Sequence, residues 1–146
     1  MTQEEKDLLL KDLCARLPYG VNCEGFYSEE PDYKTPYKHI ETCKGHVDGI
    51  DHIGFDDEEI YIIIEGIPCE LLNVRPYLRP MSSMTKKEKN SNDDLLEKIY
   101  KMPPVGHIHV AMITDWLLER HFDIHDLISK GLALEAPEGM YNLKEK

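Results

Sequence analysis

Apolar residues change their spacing near residue 80, and that change predicts an α+β fold. At the start, Thr2-Gln3-Glu4-Glu5 has the form of a capping box, in which the Thr2 and Glu5 side chains each bond the other's backbone N–H. Leu9, Leu13 and Leu17, with Leu10 and Cys14 beside them, follow at helical spacing, and Pro18 and Gly20 end the helix. Its apolar stripe is suited to cover a sheet face.

From Gly20 to Val74 the period shortens to that of strands. Gly20 to Ser28 alternates, with Gly25 read as a bulge or bend. Ser28 to Lys38 is a surface loop with two prolines and several tyrosines, and its tyrosines suit either a sheet edge or a partner surface. His39 to Lys44 starts the next strand, and Gly45 and Gly49 let the sheet curl. His46 to Pro80 is the organising stretch. Ile60 to Ile64 packs β-branched and aromatic residues into one run, the composition of a buried strand. Val47, Ile50, Ile53 and Phe55 precede it, then the polar turn Asp56 to Glu59. Gly66 supplies a second turn, and Cys69 to Val74 returns as a third strand. Connections this short require antiparallel neighbours. The expected sheet is small, curled and antiparallel, with a partly open SH3-like barrel as one form it can take.

Beyond Val74 the prolines dominate. Arg75 to Pro80 lacks two ladder donors and reads as a short helical turn leaving the sheet. Thr85 to Glu88 repeats the capping box and predicts a brief helix, and Ser91 to Asp94 caps a further one carrying Leu95, Leu96, Ile99 and Met102 up to Pro103-Pro104. Gly106 to Val110 fits either a short strand or a helix start. From Val110, the spacing of Ile113, Trp116, Leu117 and Arg120 predicts a helix ending near His121. Asp123 is the expected N-cap of another, with Gly131 as its stop. The chain thus reads as a single domain, with a helix-plus-sheet part over 1–80 and a mainly helical part over 81–146.

Composition narrows the function classes. Hydrophobic residues at 41% and charged ones at 31% are those of a folded globule. The net charge of −11 argues against nucleic acid, which a basic surface must neutralise; it reads first as solubility, and the sharper reading is an acidic face that engages a basic partner or mimics the charge of nucleic acid. Neither a signal peptide nor a transmembrane run is visible, so the expected setting is cytoplasmic, with no membrane partner. Cys14, Cys23, Cys43 and Cys69 are dispersed and read as small hydrophobes rather than as a disulfide set or zinc site.

Histidines offer three weak clusters: His107 with His109, His121 with His125, and His46 with Asp48, Asp51 and His52. None has a recognised zinc spacing, so no metal and no cofactor is expected. There is no G-x-S-x-G elbow, P-loop or G-x-G-x-x-G, and Asp56 to Glu59 lacks the alternation of an EF-hand loop. The sequence carries no enzyme signature.

Two pieces, Val74 to Thr85 and Asp115-Trp116-Leu117 running on to His121-Phe122-Asp123 and Gly131 to Pro137, resemble a family of small uncharacterised proteins from phages, prophages and mobile elements of gut anaerobic bacteria. The resemblance implies a genomic setting but brings no established activity, so it assigns no catalytic or binding residues. Small acidic phage proteins without enzyme motifs often bind host components, so the expected role is a non-enzymatic accessory protein that binds a host, phage or defence protein. Arg75, Tyr77, Arg79, Met81 and Met84 are the expected binding residues, because they concentrate interface-anchoring types where the chain leaves the sheet. The alternative is a protein that sequesters a nucleotide-like small molecule through Lys44, Arg75 and Arg79, with Tyr61 or Tyr77 for stacking. A small enzyme of unknown type ranks third.

Overall fold

The computed structural model describes residues 1–29, 39–52, 60–101 and 108–141. Helix α1 spans Gln3–Arg16, and the Thr2 capping box forms in full. A 3-10 turn over Leu17–Tyr19 then ends at Gly20, whose φ of 70° is a conformation that glycine adopts without strain.

Six strands form one sheet: β1 (Asn22–Glu29), β2 (His39–His52), β3 (Ile60–Ile64), β4 (Ile67–Glu70), β5 (Val74–Leu78) and β6 (Leu134–Glu135), in the order β4-β3-β2-β1-β5-β6. The expected α+β class holds. All pairings are antiparallel except β5 with β6, so the sheet is mixed, and it is not closed. The meander centred on Ile60 to Ile64 forms as β2-β3-β4, its second turn made by Glu65 and Gly66, both with positive φ. The Asp48 side chain accepts the Gly66 N–H at 2.8 Å and Glu65 accepts that of His46 at 3.0 Å. Asp48 lies at the register shift between Val47 and Gly49. There β2 passes from the ladder with β1 to that with β3, and the sheet curls. Ile53 to Glu59, the tyrosine-rich loop over 30–38 and Pro103-Pro104 lie outside the described residues.

Four local expectations need correction. Gly25 makes no bulge, because β1 runs in unbroken register through it. It allows close packing instead: a Cβ there would come within 2.9 Å of Ile64 Cδ1 and 3.0 Å of Cys69 Sγ, so β3 and β4 fold over β1. Second, the run from Cys69 to Val74 is not one strand, because the 3-10 turn Leu71–Asn73 separates β4 from β5. Third, Val74 to Leu78 is a strand and not a helical turn. Its pairing with β1 ends at Cys23↔Pro76, and that with β6 begins at Tyr77↔Leu134, so the missing donor of Pro76 falls where the strand changes partners. Fourth, the helices after residue 80 are fewer and longer. Thr85 caps one continuous helix, α2 (Lys86–Lys101), with Ser91 to Asp94 inside it. Helix α3 spans Ile108–Glu119, and the segment after Asp123 is a series of turns. Asp123 does accept N–H bonds, from Leu127 and Ile128 at 2.8 and 2.9 Å, but it ties a turn closed instead of starting a helix.

The core lies between α1 and the inner sheet face. Leu9 and Leu13 meet Val21, Cys23, Ile62, Ile64, Cys69, Val74 and Leu78, with Leu127, Leu132 and Ala133 added from the turns. Each fully buried aliphatic side chain contributes about 2 kcal/mol. Ile99 and Leu118 are buried outside this cluster, which keeps α2 and α3 peripheral to it. The chain returns to the sheet through β6, so the part after residue 80 is not purely helical. Among the described residues no helix is long and apolar enough to cross a membrane.

Candidate functional site

Contrary to expectation, Arg75 to Leu78 stay in the sheet as part of β5 and only the chain beyond Leu78 leaves it, and the structure divides the five candidate residues into two kinds. Arg75 is exposed and lies directly across from Glu24 in the β1–β5 register, on the outer sheet face. Glu24 also meets Lys44 from β2, at 3.6 Å, and accepts the Tyr77 hydroxyl at 3.2 Å. Tyr77 is only 8% exposed, so it is a packing residue and not a free aromatic anchor.

Arg79 is committed more deeply still. Its two terminal nitrogens bond the two carboxylate oxygens of Glu88 at 2.8 and 2.7 Å, a two-pronged fork that favours arginine. The same guanidinium reaches the carbonyls of Arg120 and Ser83 and lies 4.3 Å over the Phe122 ring. Burial works against a charged Glu88, but the bonds from Arg79 and the Thr85 amide outweigh it and hold the carboxyl at about 2. Backbone bonds flank the same residue: the Arg79 N–H donates to His121 O at 2.8 Å, and Arg79 O accepts from Asp123 at 2.9 Å. Arg79 therefore holds the joint together and is not free for a ligand.

On this anchored base the chain makes a 3-10 turn, Met81–Ser83. Pro80 O accepts both the backbone N–H of Ser83 and its hydroxyl, at 2.9 and 2.7 Å. Met81 is 46% exposed at its start, and Met84 is half-buried at its end. Beside the turn lies a groove of about 420 Å³ between Arg79, Pro80, Ser83 and Thr85 on one wall and Glu135 to Gly139 with Tyr141 on the other. Arg79 is neutralised by Glu88, whereas Glu135 and Glu138 are exposed and form no ion pair among the described residues. The groove is therefore acidic.

Tyr141 fixes the second wall. Its hydroxyl accepts the Asn22 N–H at 3.1 Å and donates to Tyr77 O at 2.6 Å, so it stands in the β1–β5 ladder where the next pair would be. Burial pushes that hydroxyl up to about 12, which keeps it a donor. Its ring stacks on His121 at 3.8 Å.

The histidines are used structurally where they are described. His121 is buried, and burial together with nearby Arg16, Arg79 and His46 holds its imidazole down at about 4. His125 Nδ1 lies 2.9 Å from Asp12, which also takes two bonds from Arg16 at 2.6 and 3.0 Å. Arg16 then donates to Phe122 O at 2.6 Å, so this buried network pins α1 to the turns after α3. His46 is paired with Gly20 O at 3.3 Å. His107 and the side chains of His52 and His109 lie outside the described residues. Among the described residues no three His, Cys, Asp or Glu side chains are placed to hold a metal ion.

Sequence reasoning missed Glu88, Glu135, Glu138 and Tyr141 as parts of this site. The capping box did mark Glu88 as a helix-start residue, but only the fold brings Arg79 to it. Compared with known proteins, the chain matches no family model, no curated protein and no solved structure.

Proposed function

We propose that this chain is a non-enzymatic binding protein that engages another protein, a host or defence factor of the phage or mobile-element setting its sequence resembles, through the joint between sheet and helices. The observation that carries this reading is Met81, 46% exposed on a turn held from beneath by the Arg79–Glu88 fork. An exposed, flexible apolar side chain on a fixed backbone makes a contact at low ordering cost. The neighbouring groove adds the carboxylates of Glu135 and Glu138, which have no ion-pair partner among the described residues, and the whole chain carries −11. Together these suit a partner that places a lysine or arginine beside an apolar residue.

The test is capture from host lysate by the tagged full chain, compared with Met81→Asp and with the double change Glu135→Gln, Glu138→Gln. The expected result is a protein retained by the parent, lost with Met81→Asp and weakened several-fold by the double change, with melting temperatures near the parent's. Capture that survives both would overturn the joint as the binding surface. A second reading, a nucleotide-like ligand on the outer sheet face, is favoured by Lys44 and Arg75 flanking Glu24 in register near Tyr77. Mass spectrometry of small molecules released from the purified protein separates the two.

A further inference from the structure

Three cysteines are buried, and two of them touch. Gly25 has no side chain, and the space it leaves is filled by Cys69 of β4. Cys43 of β2 is the cross-strand partner of Gly25, so the same vacancy brings Cys69 against Cys43, with the sulfurs 3.5 Å apart. These strands are not neighbours in the sheet, since β3 lies between them. Only the fold of β3 and β4 over β1 makes the contact.

We infer that Cys43 and Cys69 form a redox-sensitive dithiol, and that a two-electron thiol oxidant converts it to a disulfide stapling β4 onto β2. A disulfide bond is about 2.05 Å long, so the sulfurs must close by about 1.5 Å. With an azodicarboxamide as oxidant, one thiol adds across its N=N bond. The second thiol then displaces that nitrogen from sulfur. Two S–H bonds are lost, one S–S bond forms, and the oxidant leaves as a hydrazine carrying both hydrogens and both electrons. Burial, followed by the contact with Cys43, pushes the Cys69 thiol up to about 12, so little of Cys69 is thiolate while β4 stays in place. Cys23 is buried nearby and has its thiol pushed up further by burial, so it competes as a partner only if the strands shift. Cys14 is exposed on α1 and takes no part.

The experiment uses the full chain with Cys14→Ser, which leaves three cysteines and removes crosslinking between chains. The folded protein is treated with the azodicarboxamide for hours, quenched, unfolded and labelled with a maleimide. The expected result is an intact mass lower by about 2 Da before labelling, one labelled thiol in place of three, and the tryptic peptide 39–44 joined to the peptide carrying Cys69. The melting temperature should rise by roughly 5 to 10 °C, because the crosslink restricts the unfolded chain. The further change Cys43→Ala should leave both remaining thiols free after the same treatment. Three labelled thiols after oxidation, or a bridge mapped to Cys23, would overturn the inference. Binding at the joint is read by capture with a different set of residues, so either result stands without the other.

Discussion

Replacing Arg79 with alanine should destabilise the protein by about 3 kcal/mol, whereas replacing Arg75 should change stability by less than about 0.5 kcal/mol. The two arginines are four residues apart and look equivalent in the sequence. In the structure, Arg75 is exposed, while the side chains of Arg79 and Glu88 are 12% and 11% exposed and joined by two hydrogen bonds. Removing Arg79 leaves the Glu88 carboxylate nearly buried without its main cation, and two carbonyls lose a donor. Breaking a fully buried pair in this way costs about 3 to 5 kcal/mol. The lower end applies here, because some water still reaches both groups.

Thermal and urea unfolding measure the effect. For a chain of this length each kcal/mol corresponds to about 2 to 4 °C, so Arg79→Ala should melt roughly 6 to 12 °C lower. A double-mutant cycle with Glu88→Gln isolates the pair, because glutamine keeps an acceptor for the Thr85 amide while losing the charge. A coupling of about 1 to 2 kcal/mol is expected. Zero coupling, or an Arg75→Ala variant that melts as low as Arg79→Ala, would refute the assignment of Arg79 to the fold.

Two further outcomes follow from the same geometry. Tyr141→Phe keeps the ring on His121 but strands the Asn22 N–H and the Tyr77 carbonyl, so the urea midpoint should fall by the equivalent of about 2 kcal/mol with an unchanged slope; an unchanged midpoint would mean that water replaces the hydroxyl. Stability should also fall continuously on acidification. His121 stays neutral down to about 4 in the folded protein but gains its proton near 6.5 when unfolded, so that contribution is lost as pH drops from 6.5 to 4, and His121→Asn, which tolerates the local φ of 63°, should flatten that arm. Glu88 acts lower, since its folded value of about 2 lies below the usual 4.5, and its contribution is lost between 4.5 and 2.

What could be read in the sequence was what short-range chemistry decides. The Thr2 and Thr85 capping boxes depend on residues three apart, and both formed. Ile60 to Ile64 has so strong a strand composition that its tertiary setting only confirmed it, and Gly66 marked its turn. Errors arose where one residue type suits two structures. Pro76 is excluded only from positions whose N–H the ladder needs, and nothing local tells which side of a strand will be paired. Asp123 has the chemistry of a helix cap, but its carboxylate bonds amides four and five residues on, and Asp126 at φ 58° keeps the segment from coiling further. Gly25 suggests backbone freedom in the sequence, but its use is the room it leaves for Ile64 and Cys69.

The same distinction explains the candidate site. An interface rich in arginine and tyrosine is a sound expectation from residue types, but those side chains also make the best internal ties where a sheet meets helices. Here Arg79 and Tyr77 are taken up internally, by Glu88 and by Glu24. That commitment is what leaves the turn after Pro80 fixed, with Met81 as its exposed apolar side chain. The charge of the groove follows from it as well. Because Glu88 neutralises Arg79, the carboxylates of Glu135 and Glu138 are left to set the sign of the surface, in a chain already at −11. An acidic groove next to an apolar contact selects a basic partner by attraction and excludes acidic ones by repulsion, so the pairing that holds the fold also sets the specificity of the proposed surface.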